Sequence, residues 1–216
     1  EREQLLKRNF DRLRESERVK ASAQERQRIM QDMHDGLGSQ LLSSLILVER
    51  GAMTNEQVAQ ILRESIDDMR LAIDALAADD SDLLSALGNM RFRMEPRLRA
   101  AGMELQWDAR TLPEEVDIDP NAVLPVLRIA QEALTNAIKH SRARVVRVTL
   151  GVDRDGDSQL LSIRITDNGR GLVATGNIAG RGLQNMKSRA ARIAAFLKVE
   201  SVPGAGTMIF LRLPLD

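Results

Sequence analysis

The sequence predicts a multidomain chain, α followed by α+β. A helical hairpin pairs with a second copy into a dimeric four-helix bundle, and a sheet layered with helices comes after it. Three observations predict this. Apolar residues recur at three-to-four spacing from Leu5 to Leu76, as on amphipathic helices. From Val145 onward they alternate instead, as on half-buried strands. Between the two regimes lies Ala77-Ala78-Asp79-Asp80-Ser81-Asp82, whose composition is that of a linker, with residues 79–82 as its centre.

Residues 1–50 read as helix. Leu5, Leu6, Phe10 and Leu13 make a narrow stripe among many charges. Such a helix has little to bury alone, so residues 1–21 are expected to pair with another copy as a coiled coil that transmits a signal through helix packing. The stripe continues through Ile29, Met30, Met33, Leu37, Leu41, Leu45 and Val48. Gly36 and Gly38 interrupt it, each costing ~1 kcal/mol relative to alanine in a helix. Gly51-Ala52-Met53 is a break. Thr54-Asn55-Glu56-Gln57 then fits a capping box, with Thr54 as N-cap. A second amphipathic helix runs through Val58, Ile61, Leu62, Ile66, Met69, Ile73 and Leu76. Two helices joined by a tight turn form an antiparallel hairpin, here residues 22–78. A lone hairpin buries one face of each helix, so a homodimer completes the four-helix bundle.

Residues 83–216 form the second domain. Leu83 to Leu98 reads as helix, Met103 to Trp107 as a short strand, and Asn121 to Ser141 as helix. Val145 to Val152 is a strand, and Asp153-Arg154-Asp155-Gly156-Asp157 is turn chemistry. Leu161 to Thr166 returns as a strand. Gln184 to Phe196 reads as helix. Val199 to Val202 and Met208 to Leu213 close a hairpin around Pro203-Gly204-Ala205-Gly206. The sum is a mixed, largely antiparallel sheet carrying helices.

Composition narrows the function. The chain has 216 residues, 43% hydrophobic and 29% charged, which suffices for a core and a solvated surface. Lys plus Arg and Asp plus Glu are equal at 31, so a nucleic-acid partner held by phosphate attraction is not expected. Without cysteine, disulfides, thiolate metal sites and thiol nucleophiles are excluded. No apolar run reaches the ~18 residues of a membrane-spanning helix. The chain begins with Glu1 rather than Met, and an upstream part holding a membrane anchor is compatible with that.

Three groups of residues carry chemistry. His34 is followed at once by Asp35. On a helical wheel with Met33 as reference, the apolar stripe centres at about +50° and His34 lies at about +100°, at the stripe's border. Histidine titrates near neutrality, so a neutral ring nitrogen is available as nucleophile, and Asp35 can orient the ring and take its proton. Glu132 and Asn136 share a helix face with Lys139 close by, an oxygen-rich set suited to hydrated Mg²⁺ and phosphates. Asp167-Asn168-Gly169-Arg170-Gly171 ends an apolar strand, where a carboxylate can accept the amine hydrogen of adenine. Gly180-Arg181-Gly182-Leu183 opens a helix whose backbone N–H groups suit phosphate. It is not a Walker loop, since Gly-Lys-Ser/Thr is absent. Each group alone is also an ordinary solvated surface; their order and spacing make them specific.

Together they resemble the transmitter region of bacterial two-component sensor histidine kinases, most of all the nitrate-sensor-like subgroup, from about residue 22 to the C-terminus. Glu25 to Gly38 resembles the phosphoacceptor box, which implies His34 as the phosphorylated residue and Asp35 as its base. Gln131 to His140 resembles the N box. That implies Asn136 on Mg²⁺, Glu132 in the metal's water shell, Lys139 on phosphate and His140 among the ATP-binding positions. Asp167 resembles the adenine-reading acid, flanked by Gly169 and Gly171. Gly180, Gly182 and Leu183 resemble the second glycine box, and Pro203 to Thr207 the closing turn that puts Thr207 near the base. The implied fold is the GHKL (Bergerat) α/β sandwich, shared with gyrase, Hsp90 and MutL. The implied activity is ATP-dependent autophosphorylation of His34 and transfer to an aspartate of a response regulator with LuxR-type output. The implied place is the cytoplasmic portion of an inner-membrane sensor. Where many members place Gln or His four residues after the acid, this chain has Ser39, with Gln40 displaced by about 100°, which speaks against partner dephosphorylation by that route. Two other readings stand beside this one. A GHKL ATPase or protein-serine kinase would have no use for His34-Asp35, and a non-catalytic dimeric scaffold would have no use for the ATP boxes.

Overall fold

The computed structural model describes residues 12, 14, 16, 20, 27, 41–42, 45–51, 53–77, 83–113, 116, 118–156, 158–171 and 181–215. The chain divides into two compact units, Glu1–Asp80 and Ser81–Asp216.

In the first unit, residues 45–49 are helical. Arg50 N–H donates to Ile46 O (3.1 Å), and Gly51 N–H donates to Val48 O (2.9 Å) from a left-handed φ of +64°. Glycine takes that conformation without a Cβ clash, so the helix stops there. Helix α1 (Asn55–Ala77) follows. Its capping box is complete. Thr54 N–H donates to Gln57 Oε1 (2.9 Å), and Gln57 N–H donates to Thr54 Oγ1 (3.3 Å). Along α1, Ser65, Leu71 and Ala72 are buried, while Leu62, Ile66, Met69 and Ile73 stay between 43% and 53% exposed. The expected coiled coil and phosphoacceptor helix fall largely outside the described residues. Of positions 1–21, only 12, 14, 16 and 20 are described, all helical.

The second unit begins with α2 (Leu83–Ala100), followed by strand β1 (Glu104–Thr111) and helix α3 (Pro120–Asn136). A π turn (Ala137–Ser141) extends α3 into β2 (Val145–Asp155), which pairs with β3 (Ser158–Asp167). Helix α4 (Arg181–Arg192), β4 (Phe196–Val202) and β5 (Gly206–Pro214) complete the unit. The sheet order is β1-β2-β3-β5-β4. β1 runs parallel to β2, as a crossover through α3 requires, and every other pair is antiparallel. One sheet face is apolar: Val146, Val148 and Leu150 of β2, Leu161, Ile163 and Ile165 of β3, and Ile209, Leu211 and Leu213 of β5 are all buried. Helices α2, α3 and α4 supply the matching layer through Met90, Met94, Leu127, Leu134 and Met186. The other face carries polar side chains, with Arg147 and Arg164 exposed.

Four boundaries differ from the sequence expectation. β1 continues past Trp107 to Thr111, with Asp108 and Arg110 paired on its outer face (2.7 Å). β2 continues to Asp155, which lies opposite Ser158, so most of the expected turn belongs to the strand. α4 ends at Arg192 instead of reaching Phe196, because Ala194 turns left-handed (φ +50°) and Ala195 N–H donates back to Ala190 O (2.9 Å). Phe196 therefore starts β4. The helix expected to run to Ser141 is α-helical only to Asn136.

Candidate nucleotide site

Helix α3 is the spine of the site. Its start is set by Asp119, whose carboxylate accepts from Asn121 N–H (2.9 Å), with Pro120 in the first turn where a missing N–H does no harm. Nine of its residues are buried, from Ala122 to Leu134. The half-buried strip left over includes Arg128, Glu132 and Asn136, at steps of four. Each step turns about 40° past a full revolution, so the three lie on one face.

At its end the helix widens. Ser141 Oγ donates to Ala137 O (2.7 Å) and accepts from Ala143 N–H (2.9 Å), and Arg142 then takes a left-handed conformation (φ 56°). The carbonyls released by the π turn are taken up by the loop after β3. Arg170 N–H donates to Ser141 O (2.8 Å), and Arg170 Nε donates to His140 O (2.8 Å). A π turn advances less per residue than an α-helix, so exposed Lys139 is turned further from Asn136 than an α-helical continuation would place it.

β3 ends on Asp167. Its Oδ1 accepts from Gly169 N–H (2.8 Å), and Oδ2 takes no hydrogen bond from the described residues. Asn168 Oδ1 accepts from both Arg144 N–H (3.0 Å) and Val145 N–H (2.9 Å), which pins the start of β2. Thr207 lies directly opposite Asp167 in the β3–β5 register, and its hydroxyl meets Ser201 Oγ at 3.0 Å. Glycine is obligatory at three places here. A Cβ on Gly169 would collide with Ser141 O, one on Gly171 (φ +68°) with Val202 O, and one on Gly206 (φ +93°) with Asp167 O. Gly204 N–H donates to Arg170 O (2.7 Å), tying the last hairpin to the same loop.

Gly182 stands in the first turn of α4, where its missing Cβ leaves room for the Glu132 carboxylate. Half-buried Leu183 follows. The first N–H groups of α4 thus start beside the Glu132–Asn136 face. Of the residues read from sequence, Glu132 and Gly182 meet. Asp167, Gly169, Gly171 and Thr207 form one cluster, joined to the end of the α3 helix through Ser141 and His140. His34, Asp35, Ser39, Gln40 and Gly180 lie outside the described residues. Sequence reasoning missed Asn168, Arg170 and Ser141, whose roles are long-range hydrogen bonds. The Asn-Gly pair after a strand was the available signal.

This arrangement defines a class. Residues 121–216 match the family of histidine kinase-, DNA gyrase B-, and HSP90-like ATPases. The chain is 31% identical to the sensor histidine kinase YxjM of Bacillus subtilis, over 90% of this chain and 48% of that protein. It is 29% identical to the sensor protein VraS of Staphylococcus saprophyticus, over 89% and 56% respectively. Among solved structures, the histidine kinase domain of the Erythrobacter litoralis blue-light activated kinase EL346 superposes with a TM-score of 0.58 at 19% identity, covering 94% of each chain. Full-length ShkA, solved in complex with AMPPNP, superposes with a TM-score of 0.54 at 20% identity, covering 88% of this chain and 46% of its own. These likenesses show the fold. The chain is thus similar over most of its length to sensor histidine kinases, and residues 121–216 of its second unit match the ATPase family. It spans about half the length of the curated relatives it matches. No helix among the described residues is long and apolar enough to cross a membrane.

Proposed function

We propose that this chain is the kinase core of a dimeric sensor. It takes the terminal phosphoryl group of ATP onto His34 and passes it to an aspartate of a response regulator, of the kind with LuxR-type output. The observation that carries the reading is the cluster at the end of β3. Asp167 has a carboxylate oxygen that takes no hydrogen bond from the described residues, three glycines are packed where side chains would clash, and α3 presents Glu132 and Asn136 beside the start of α4.

Asp167 accepts the adenine amine hydrogen, with Gly169, Gly171 and Thr207 around the base. Gly180, Gly182 and Leu183 offer backbone N–H groups to the phosphates, and Lys139 and His140 add positive charge. Asn136 and Glu132 are oxygen donors of the type Mg²⁺ prefers, Glu132 through water, and the ion neutralises phosphate charge when bound. His34 attacks the γ-phosphorus through a neutral ring nitrogen. The new N–P bond forms as the bond to the β–γ bridging oxygen breaks, ADP leaves, and Asp35 takes the ring proton. Catalysis is mainly positioning and charge neutralisation.

The exposed apolar stripe of α1, with Leu42, Leu45 and Val48 on the preceding helix, supports pairing of residues 22–78 with a second copy as a four-helix bundle. In this reading residues 1–21 are the signalling coiled coil, 79–82 the linker and 83–216 the ATP-binding domain, on the cytoplasmic side of a membrane sensor. The test is incubation with Mg²⁺ and γ-labelled ATP beside His34→Gln and Asn136→Ala. Acid-labile label on the parent alone supports the assignment. Label retained by His34→Gln, or acid-stable label, overturns it in favour of a serine kinase. No nucleotide binding revives the scaffold.

A further inference from the structure

The geometry points to Arg128 as a residue that reads the terminal phosphate of the nucleotide, an inference that rests on the ATP-binding reading above. Arg128 lies one turn before Glu132 and two before Asn136 on the half-buried strip of α3. The strip has a direction. Its C-terminal end abuts the Asp167–Gly169 cluster through Ser141, where the base sits. Asn136 comes next, and then Glu132 against Gly182. Arg128 stands about 6 Å further along the helix axis, on the side away from the base. A nucleotide laid along this strip from base to phosphates ends toward Arg128.

The state of its side chain agrees. Arg128 makes no hydrogen bond or ion pair with a described residue, yet its Nε is shut off from solvent and unpartnered. A guanidinium N–H removed from water and left unpaired is unfavourable, and no described residue holds the remaining nitrogens, so the position suits an anion. Glu132 is the nearest acid on the same face, and no ion pair closes between the two. A fork of parallel N–H donors matches a phosphate's oxygens, where a lysine offers only a point charge. No other feature of the strip uses this cation: α3 packs through its buried face, and Arg128 is not on it.

The test measures affinity rather than turnover. The full chain is titrated with ATP and with ADP by displacement of a fluorescent adenine nucleotide, for the parent, Arg128→Met and Arg128→Lys. Arg128→Met is expected to lower the ratio of ATP to ADP affinity about tenfold, with ADP affinity changed less than twofold. Arg128→Lys is expected to fall between, since charge is kept and the fork is lost. An unchanged ratio in a folded Arg128→Met overturns the assignment, and so does an equal loss of both nucleotides. If Arg128→Met does not fold, Arg128→Lys decides alone: a parental ratio overturns the inference. A parent that binds ATP with these outcomes leaves the nucleotide reading standing. A parent that binds neither nucleotide removes both.

Discussion

Replacing Asn168 by alanine removes a single side-chain oxygen that accepts two backbone N–H groups, from Arg144 at 3.0 Å and Val145 at 2.9 Å. The two donors are the residues where the chain leaves the α3 region and enters β2. Each hydrogen bond contributes roughly 0.5–1.5 kcal/mol net, and Asn168 is exposed enough for water to replace part of it, so the loss is about 1–3 kcal/mol. For a unit the size of Ser81–Asp216, 1 kcal/mol moves the melting temperature by about 3–4 °C, so a drop of about 3–12 °C is expected. Trp107 is the single tryptophan and lies in this unit, so its fluorescence follows this transition. Asn168→Asp keeps an acceptor oxygen and is expected to lose less than half as much. A melting temperature within 1 °C of the parent in Asn168→Ala, or an equal drop in Asn168→Asp, would refute the reasoning.

Ala194 is held left-handed at the end of α4, so Ala194→Gly is expected to raise stability by about 0.5–1 kcal/mol; a denaturant midpoint at or below the parent's counts against it. The Arg110 guanidinium and backbone N–H beside Asp108 hold its carboxyl down at about 2. Because that value is depressed, its contribution is present above about pH 4 and is lost as pH falls toward 2. Carboxyl NMR titration should find this low value and its return toward the ordinary range in Arg110→Ala. Gly182→Ala places a methyl against the flexible end of Glu132, so the melting temperature should stay within about 2 °C while autophosphorylation falls at least tenfold; equal activity would show that Glu132 tolerates displacement.

Much of this was legible because local rules and tertiary demands agree. The alternation of Val146, Val148 and Leu150 can face only one layer, and Thr54 with Gln57 makes its box from nearest neighbours. The glycines at 169, 171 and 206 stood out as punctuation, and close backbone approach explains each. What stayed hidden depends on distant partners. Nothing in Ala137 to Ser141 distinguishes a π turn from an α turn, since the loop bearing Arg170 draws the carbonyls out. The end of α4 carries no glycine or proline to mark it, and Ile193 and Phe196 continue an apolar spacing that the left-handed Ala194 cuts short. Arg128 offered no signal at all, because an unpaired buried nitrogen is visible only once the helix is packed.

The parallel pairing of β1 with β2 has a consequence for how the domain comes together. β2 meets β3, and β4 meets β5, across tight turns, so those hairpins close early. Glu104 must instead find Val145 across the whole of α3. During synthesis α2 and β1 emerge first, yet their partner strand does not exist until α3 has been made. The slow, loop-closing step of folding therefore falls on the first strand, and mutations that weaken β1 should retard folding more than they hasten unfolding.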